Sequence, residues 1–251
     1  MRIKLSLRCN NKIILPVGYS RCVQGFIYNL INKIDADWLH SHGFKYEKRK
    51  FKLFTYSEFL ESPIYERTKR QFIFPKTVSF LISSPVSWIL EQIAKNSLLN
   101  DNLRLGNNIV VLSGVEVCKP YNIKSNKIKI KTLTPIEVHS TLYKADGKKK
   151  TYYYSPKEDD FSKLVNDNLK KKWEIFFKKP FPTHIEIYPV DFYKCKETVR
   201  RFKEIVIRGW VGYFYIESQP KVIEFALDTG IGSRNSIGFG MIDVVKDILP
   251  K

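Results

Sequence analysis

The chain has 251 residues, with 43 lysines and arginines against 25 acidic residues and a formal charge of +18. Such an excess of cations is costly in self-repulsion unless a polyanion offsets it, which puts nucleic acid first among partners. No uninterrupted apolar run approaches bilayer length and the opening MRIKLSLRCNNKIIL alternates as a strand does, so a membrane partner is excluded and a soluble, cytoplasmic protein is expected.

In chain order, RIKLSLR places Ile3, Leu5 and Leu7 on one face, the period of a half-buried strand. SRCVQGFIYNLINKI then gathers Val23, Phe26, Ile27, Leu30, Ile31 and Ile34 into one stripe, which predicts a helix with Ser20 at its cap. A short helical piece around ADWLH, a basic strand RKFKLFTYS and a strand ending in KTVSFLISS follow. PVSWILEQIAKNSLL reads as a second long helix and NNIVVLSGVEV as a closing strand. The second half repeats the pattern: strand KIKIKT, helix DDFSKLVNDNLKKKWEIFFKK, strand THIEIYPV, a long strand VRRFKEIVIRGWVGYFYIES, helix PKVIEFALDTG and strand FGMIDVV. Each half has the ferredoxin-like order. The fold expected is therefore α+β, two tandem ferredoxin-like (RRM-like) domains, 1–120 and 121–251, divided in the polar stretch CKPYNIKSNK.

The stretch GIGSRNSIGFG carries Gly230, Gly232, Gly238 and Gly240, a third of the twelve glycines. A P-loop would need Lys and Ser or Thr after the last glycine, where Met241 and Ile242 stand, and a dinucleotide fingerprint would open a helix rather than a final strand. Two readings remain. The glycines serve a tight connection alone, or they offer exposed backbone amides to RNA with Ser233, Arg234 and Asn235 as added donors; the second is favoured.

A two-ferredoxin layout with such a loop near the carboxyl end resembles the repeat-associated (RAMP) superfamily of CRISPR proteins. The series VQGFIYNLI, WLHSHGF and RKFKLFTYS is similar to the CRISPR-associated endoribonucleases that cut repeat transcripts into guide RNAs. The resemblance implies cleavage without metal or other cofactor, by attack of a ribose 2′-hydroxyl on the adjacent phosphate, leaving 2′,3′-cyclic phosphate and 5′-hydroxyl ends. It implies a histidine at the LH position, a tyrosine in the first helix and a lysine in the KLFT strand, here His40, Tyr28 and Lys52. His42, two residues on, leaves the choice of histidine open. The partners implied are repeat RNA and its guide product, with subunits of a CRISPR effector complex beyond them and the protein as monomer or homodimer. The alternative is a non-catalytic RNA-binding subunit of such a complex.

The chemistry asks for such residues. Internal transesterification needs a base, an acid and cations around the phosphorane, and imidazole is populated in both forms near neutrality. His40 and His42 lie beside Lys48, Arg49, Lys50 and Lys52, so a phosphate drawn to the cations would meet imidazole. At roughly 100° per residue Tyr28 lies about 120° from the centre of its helix's apolar stripe, so it is not evidently core. Lys52 shares a strand face with Phe54 and Tyr56, which favours phosphorane stabilisation over plain solvation. Cys9, Cys22, Cys118 and Cys195 form no C-x-x-C pair and no acidic cluster accompanies the histidines, so no metal site is expected. His139 and His184 sit in strand alternations and read as structural.

Basic residues recur with aromatics in four segments. Lys148, Lys149 and Lys150 precede Tyr152, Tyr153 and Tyr154 in what reads as a mobile hairpin able to stack on unpaired bases. Arg200, Arg201, Lys203 and Arg208 lie on the long strand, placed for backbone phosphates. KRQFIF and KKKWEIFFKK complete the set.

Overall fold

The computed structural model describes residues 1–143 and 146–245; the last part of the second expected domain, 246–251, lies outside the described residues. The alternation of RIKLSLR does form a strand, Arg2–Arg8, with Ile3, Leu5 and Leu7 buried. It is the centre of a five-stranded antiparallel sheet in the order Thr55–Tyr56, Thr77–Ser83, Arg2–Arg8, Asn108–Val117, Leu103–Leu105. Helices α1 (Ser20–Asn29), α2 (Lys33–Ser41) and α3 (Ser87–Leu99) complete the half. α1 carries the chain from the first strand toward the second and α3 from the third to the fourth, which is the ferredoxin-like connection.

The second half reproduces that order with Glu186–Pro189, Tyr213–Glu217, Lys127–Thr132 and Ile242–Val244, crossed by α4 (Asp159–Phe177) and α5 (Pro220–Thr229). The molecule is α+β, two tandem ferredoxin-like units. Two antiparallel hairpins are added to the second unit, His139–Tyr143 with Lys149–Tyr153 and Lys196–Phe202 with Ile205–Val211. Each unit buries its own apolar cluster, and Ile175 of α4 is buried in the first unit's core. Each fully buried Leu, Ile or Phe in these clusters contributes about 1.5–3 kcal/mol. Among the described residues no helix is long and apolar enough to cross a membrane.

Three departures from the sequence reading have local causes. The helix expected over Ser20–Ile34 breaks at Leu30. Leu30 and Ile31 donate to the carbonyls of Ile27 and Tyr28, and the Asn32 amide is drawn off to the Gln92 side chain of α3 at 2.9 Å. Ile34 is consequently 84% exposed, and Tyr19 rather than Ser20 occupies the cap of α1. The basic strand RKFKLFTYS is two pieces, Arg49–Phe51 and Thr55–Tyr56, interrupted where Leu53 adopts a φ of 55°. The long strand over 199–218 folds back at Lys203, φ 54°, into a hairpin arm, and only Tyr213–Glu217 joins the main sheet.

The two units are tied by polar contacts. Arg2 is 5% exposed and donates to the carbonyls of Ile242 at 2.8 Å and Leu227 at 3.2 Å, with Asp243 at 3.3 Å. Thr55 donates to the Phe239 carbonyl at 3.1 Å and Gln24 to that of Ser236 at 2.9 Å.

Candidate active site and nucleic-acid interface

The break after α1 turns α2 back so that Tyr28 and His40 meet edge to face, ring centroids 6.0 Å apart at 80°. Phe54 supports Tyr28 from the sheet side at the same centroid distance. Burial pushes the Tyr28 phenol up to about 12, so across the neutral range it is a hydrogen-bond donor and no base. Both residues border an open cavity of about 430 Å³, with Lys33 and Asp37 of α2 on its wall. Sequence reasoning missed those two. Their signal was helical spacing, since Lys33, Asp37 and His40 fall on one face once α2 is known to start at Lys33. The His40 ring is exposed, in the last turn of α2. His42 is also exposed but caps the helix end and lies off this cavity. The fold brings Tyr28 together with His40 and not with His42.

Lys52 lies beneath them in an unexpected way. Its ammonium donates to the carbonyls of Leu39 and of His40, the latter at 2.7 Å, so it closes the end of α2 while also lining an open cavity between the units. Burial, then the nearby Lys50, lowers its pKa. Lys50 donates to the Ser41 carbonyl at 2.7 Å in the same manner. Gly43 finishes the turn at φ 57°, and a Cβ there would lie 2.6 Å from the Phe51 carbonyl oxygen. A left-handed residue after the cap is the ordinary way for such a helix end to satisfy its carbonyls.

The glycine-rich loop differs most from the sequence reading. Gly230, Gly232, Gly238 and Gly240 are all buried, and the amides of Gly230, Gly238 and Gly240 donate to Ala226, Asn235 and Pro135. A Cβ on Gly240, φ 70°, would overlap the Ile231 carbonyl oxygen, and one on Gly238 would lie 2.9 Å from the Tyr56 ring. What presses on this backbone is the protein itself. Asn235 is interior too, its amide donating to the carbonyls of Ile231 and Phe239. At the centre stands Lys172, 2% exposed, whose ammonium donates to Gly230 at 2.9 Å, Gly232 at 3.1 Å and Asn235 at 2.6 Å. Desolvation lowers its pKa to about 7. The run KKKWEIFFKK read as cationic surface, yet Phe161, Val165, Leu169 and Lys172 share one buried helical stripe. That spacing was the available signal.

Ser233 and Arg234 remain half-exposed, and they line a cavity of about 480 Å³ between the two units. Arg49, Lys50 and Lys52 face it from the first unit, Asn168 and Lys172 from α4. A neighbouring cavity of about 340 Å³ shares Arg49, His139, Asn168 and Ser233 with it and adds Lys171 and Asp167. Lys48 stands exposed on the turn next to Arg49. His139, read from the sequence as structural, lines both cavities.

The other expected contacts are more committed than the sequence implied. The hairpin with Lys149 and Lys150 forms as expected, both exposed, and Lys148 pairs with Asp146 at 3.5 Å. Its tyrosines are tied: Tyr152 donates to Glu158 at 2.7 Å, Tyr153 to the Val206 carbonyl at 3.0 Å, and the Tyr154 ring packs edge-on to Tyr152. Arg200 pairs with Glu58 and donates to the Gly238 carbonyl at 3.2 Å, which makes it a tie between units. Arg201 pairs with Glu204 at 2.6 Å and keeps half its surface exposed, and Arg208 pairs with Glu197.

Two ferredoxin-like units sharing a buried glycine-rich loop and a cationic cleft define a protein of the RAMP type. The family model described as CRISPR associated protein Cas6, C-terminal, matches residues 117–244, and that described as CRISPR-associated protein Cas6, N-terminal, matches 14–116. The chain belongs to the Cas6 family. It is 28% identical to a protein of Methanocaldococcus jannaschii named CRISPR-associated endoribonuclease Cas6 1, covering 98% of this chain and 94% of that one. It is 28% identical to one of Pyrococcus furiosus named CRISPR-associated endoribonuclease Cas6, covering 92% and 83%. A solved structure described as CRISPR associated protein Cas6 superposes with a TM-score of 0.78 at 27% identity, covering 98% of this chain and 99% of that one.

Proposed function

We propose that this chain cuts CRISPR repeat RNA into guide RNAs in the cytoplasm, by metal-independent attack of a ribose 2′-hydroxyl on the neighbouring phosphate. The meeting of Tyr28 with an exposed His40, at the edge of a cationic surface, carries the reading. In this mechanism the His40 imidazole takes the 2′-proton as the new 2′-oxygen–phosphorus bond forms. The bond from phosphorus to the 5′-oxygen breaks, and that oxygen takes a proton from solvent in the open cavity. The products are a 2′,3′-cyclic phosphate and a 5′-hydroxyl.

Each neighbour has a part. Tyr28, neutral throughout the working range, donates a hydrogen bond to a non-bridging oxygen. Lys33 supplies positive charge at the cavity wall. Lys52 is a positioning residue, since its ammonium fixes the turn that bears the imidazole. Arg49, Lys50 and Arg234 hold the strand through its phosphates. The names of the relatives support the endoribonuclease reading.

Incubation with the cognate repeat RNA in excess EDTA tests it. One cut at a single phosphate, with a 2′,3′-cyclic phosphate on the upstream fragment, is the expected result. Binding with no cut would instead identify a non-catalytic RNA-binding subunit, and a cut that needs magnesium would refute the mechanism.

A further inference from the structure

Glu137 lies in the segment TLTPIEV with no exposed surface at all. A buried carboxylate is retained only where charges and hydrogen bonds compensate its desolvation. Here two segments supply the compensation. One carboxylate oxygen meets His139 Nδ1 at 2.5 Å, and the other lies 3.5 Å from Arg234 Nε in the glycine-rich loop. That second oxygen and Arg234 Nε have no hydrogen-bond partner among the described residues. One interior anion thus pulls an imidazole and a guanidinium from different parts of the chain to the wall of one cleft.

With Nδ1 tied to the carboxylate, the ring nitrogen left for a ligand is Nε2. The carboxylate fixes both the tautomer and the orientation of such a ring. His139 lines both interdomain cavities, with about a quarter of its side chain exposed. We propose that His139, braced by Glu137, is a phosphate-binding residue of this cleft that grips the RNA backbone in its protonated form. The inference rests on the reading that repeat RNA is the substrate, and it concerns a site apart from Tyr28 and His40.

The charges around the ring decide the proton. Arg234 faces it from the loop, Lys171 and Asp167 from α4, and Arg49 from the first unit. Tyr153, on the paired strand, lies 6.0 Å away by ring centroid with its phenol bound to Val206. The Lys172 ammonium is turned into the loop carbonyls. In the empty cleft the three cations oppose a further positive charge, and Glu137 and Asp167 favour it. A phosphate on Nε2 tips that balance, because the ring then donates to an anion at each nitrogen. Binding therefore takes up a proton. Affinity is greatest at low pH and falls as pH rises, by at most about tenfold per pH unit for one proton.

The test uses the full chain and a repeat RNA carrying one 2′-deoxy nucleotide at the cut site. Should the chain not cut, unmodified repeat RNA serves, so failure of the nuclease reading leaves this test intact. Dissociation constants are measured between about pH 6 and pH 8, where imidazole titrates. For the unaltered chain, affinity is expected to fall about three- to tenfold more than for His139→Gln over that range. His139→Lys should hold at high pH the affinity that the unaltered chain has at low pH. Nitrogen chemical shifts of the His139 ring near pH 7 give a reading without any substitution, and the imidazolium share should increase when RNA is added. Equal pH slopes for the unaltered chain and His139→Gln, or a ring whose protonation RNA leaves unchanged, would overturn the proposal.

Discussion

His40 and His42 are both exposed and two residues apart, yet only His40 shares a cavity with Tyr28. His40→Ala should therefore lower single-turnover cleavage by about 10²-fold or more while RNA affinity stays within a few fold, the loss typical of a removed general base. His42→Ala should leave cleavage within about threefold; equal, minor losses in both would refute the assignment. The tyrosine comes from the family resemblance, and helical phase adds only that it lies off the centre of the apolar stripe. The role of Lys52 could not, because a helix that ends over a lysine thirteen residues later is a tertiary fact.

Lys172 poses the other residue-scale question. Its amine titrates near 7 in the fold, whereas an unfolded chain keeps the proton to about 10.4. Between those values the unfolded state holds more protons, so stability should rise with pH, by at most about 1.4 kcal/mol per unit. Denaturant midpoints from about pH 7 to pH 9 measure it against Lys172→Met, whose curve should be flatter. Parallel curves would mean that the loop carbonyls hold the amine charged.

At the scale of elements, the carboxyl end of α2 decides where the imidazole stands. Gly43→Ala places a Cβ against the Phe51 carbonyl in a left-handed residue, so it should cost about 1–3 kcal/mol and reduce cleavage with the fold retained. Melting temperature and single-turnover rate are the two readings; an unchanged rate would detach the turn from the chemistry. Element types were mostly legible, since strand and helix periods survive in both halves. What the pattern hid were the interruptions. Alternation runs on through Lys203 with no glycine or proline to mark the hairpin turn, and Leu30 looks helical until Gln92 of α3 takes the next backbone amide in hand. The glycine loop was legible as a close approach. Its partners, Lys172 and Tyr56, lie more than fifty residues away in the chain.

For the whole molecule, the repeated strand order shows that two small folds have been joined, and the join sets the width of the cationic cleft. Arg2 holds it through Leu227, Ile242 and Asp243. Arg2→Ala removes the buried hydrogen bonds to the Leu227 and Ile242 carbonyls and the pairing with Asp243, and should cost about 2–4 kcal/mol and weaken repeat binding several-fold, which calorimetry and a binding titration would show. Unaltered RNA affinity would mean that the units need no fixed orientation. A net charge of +18 predicts the RNA partner without saying where it lies; the cleft became visible only once Arg49 and Arg234, from opposite halves, faced one cavity.

In the proposed reaction a ribose hydroxyl, activated at His40, is the nucleophile. Replacing the single nucleotide on the 5′ side of the cut with its 2′-deoxy form, in excess EDTA, tests it most directly. Cleavage at that linkage should disappear while the RNA is bound as tightly as before. Continued cutting there would contradict that reaction.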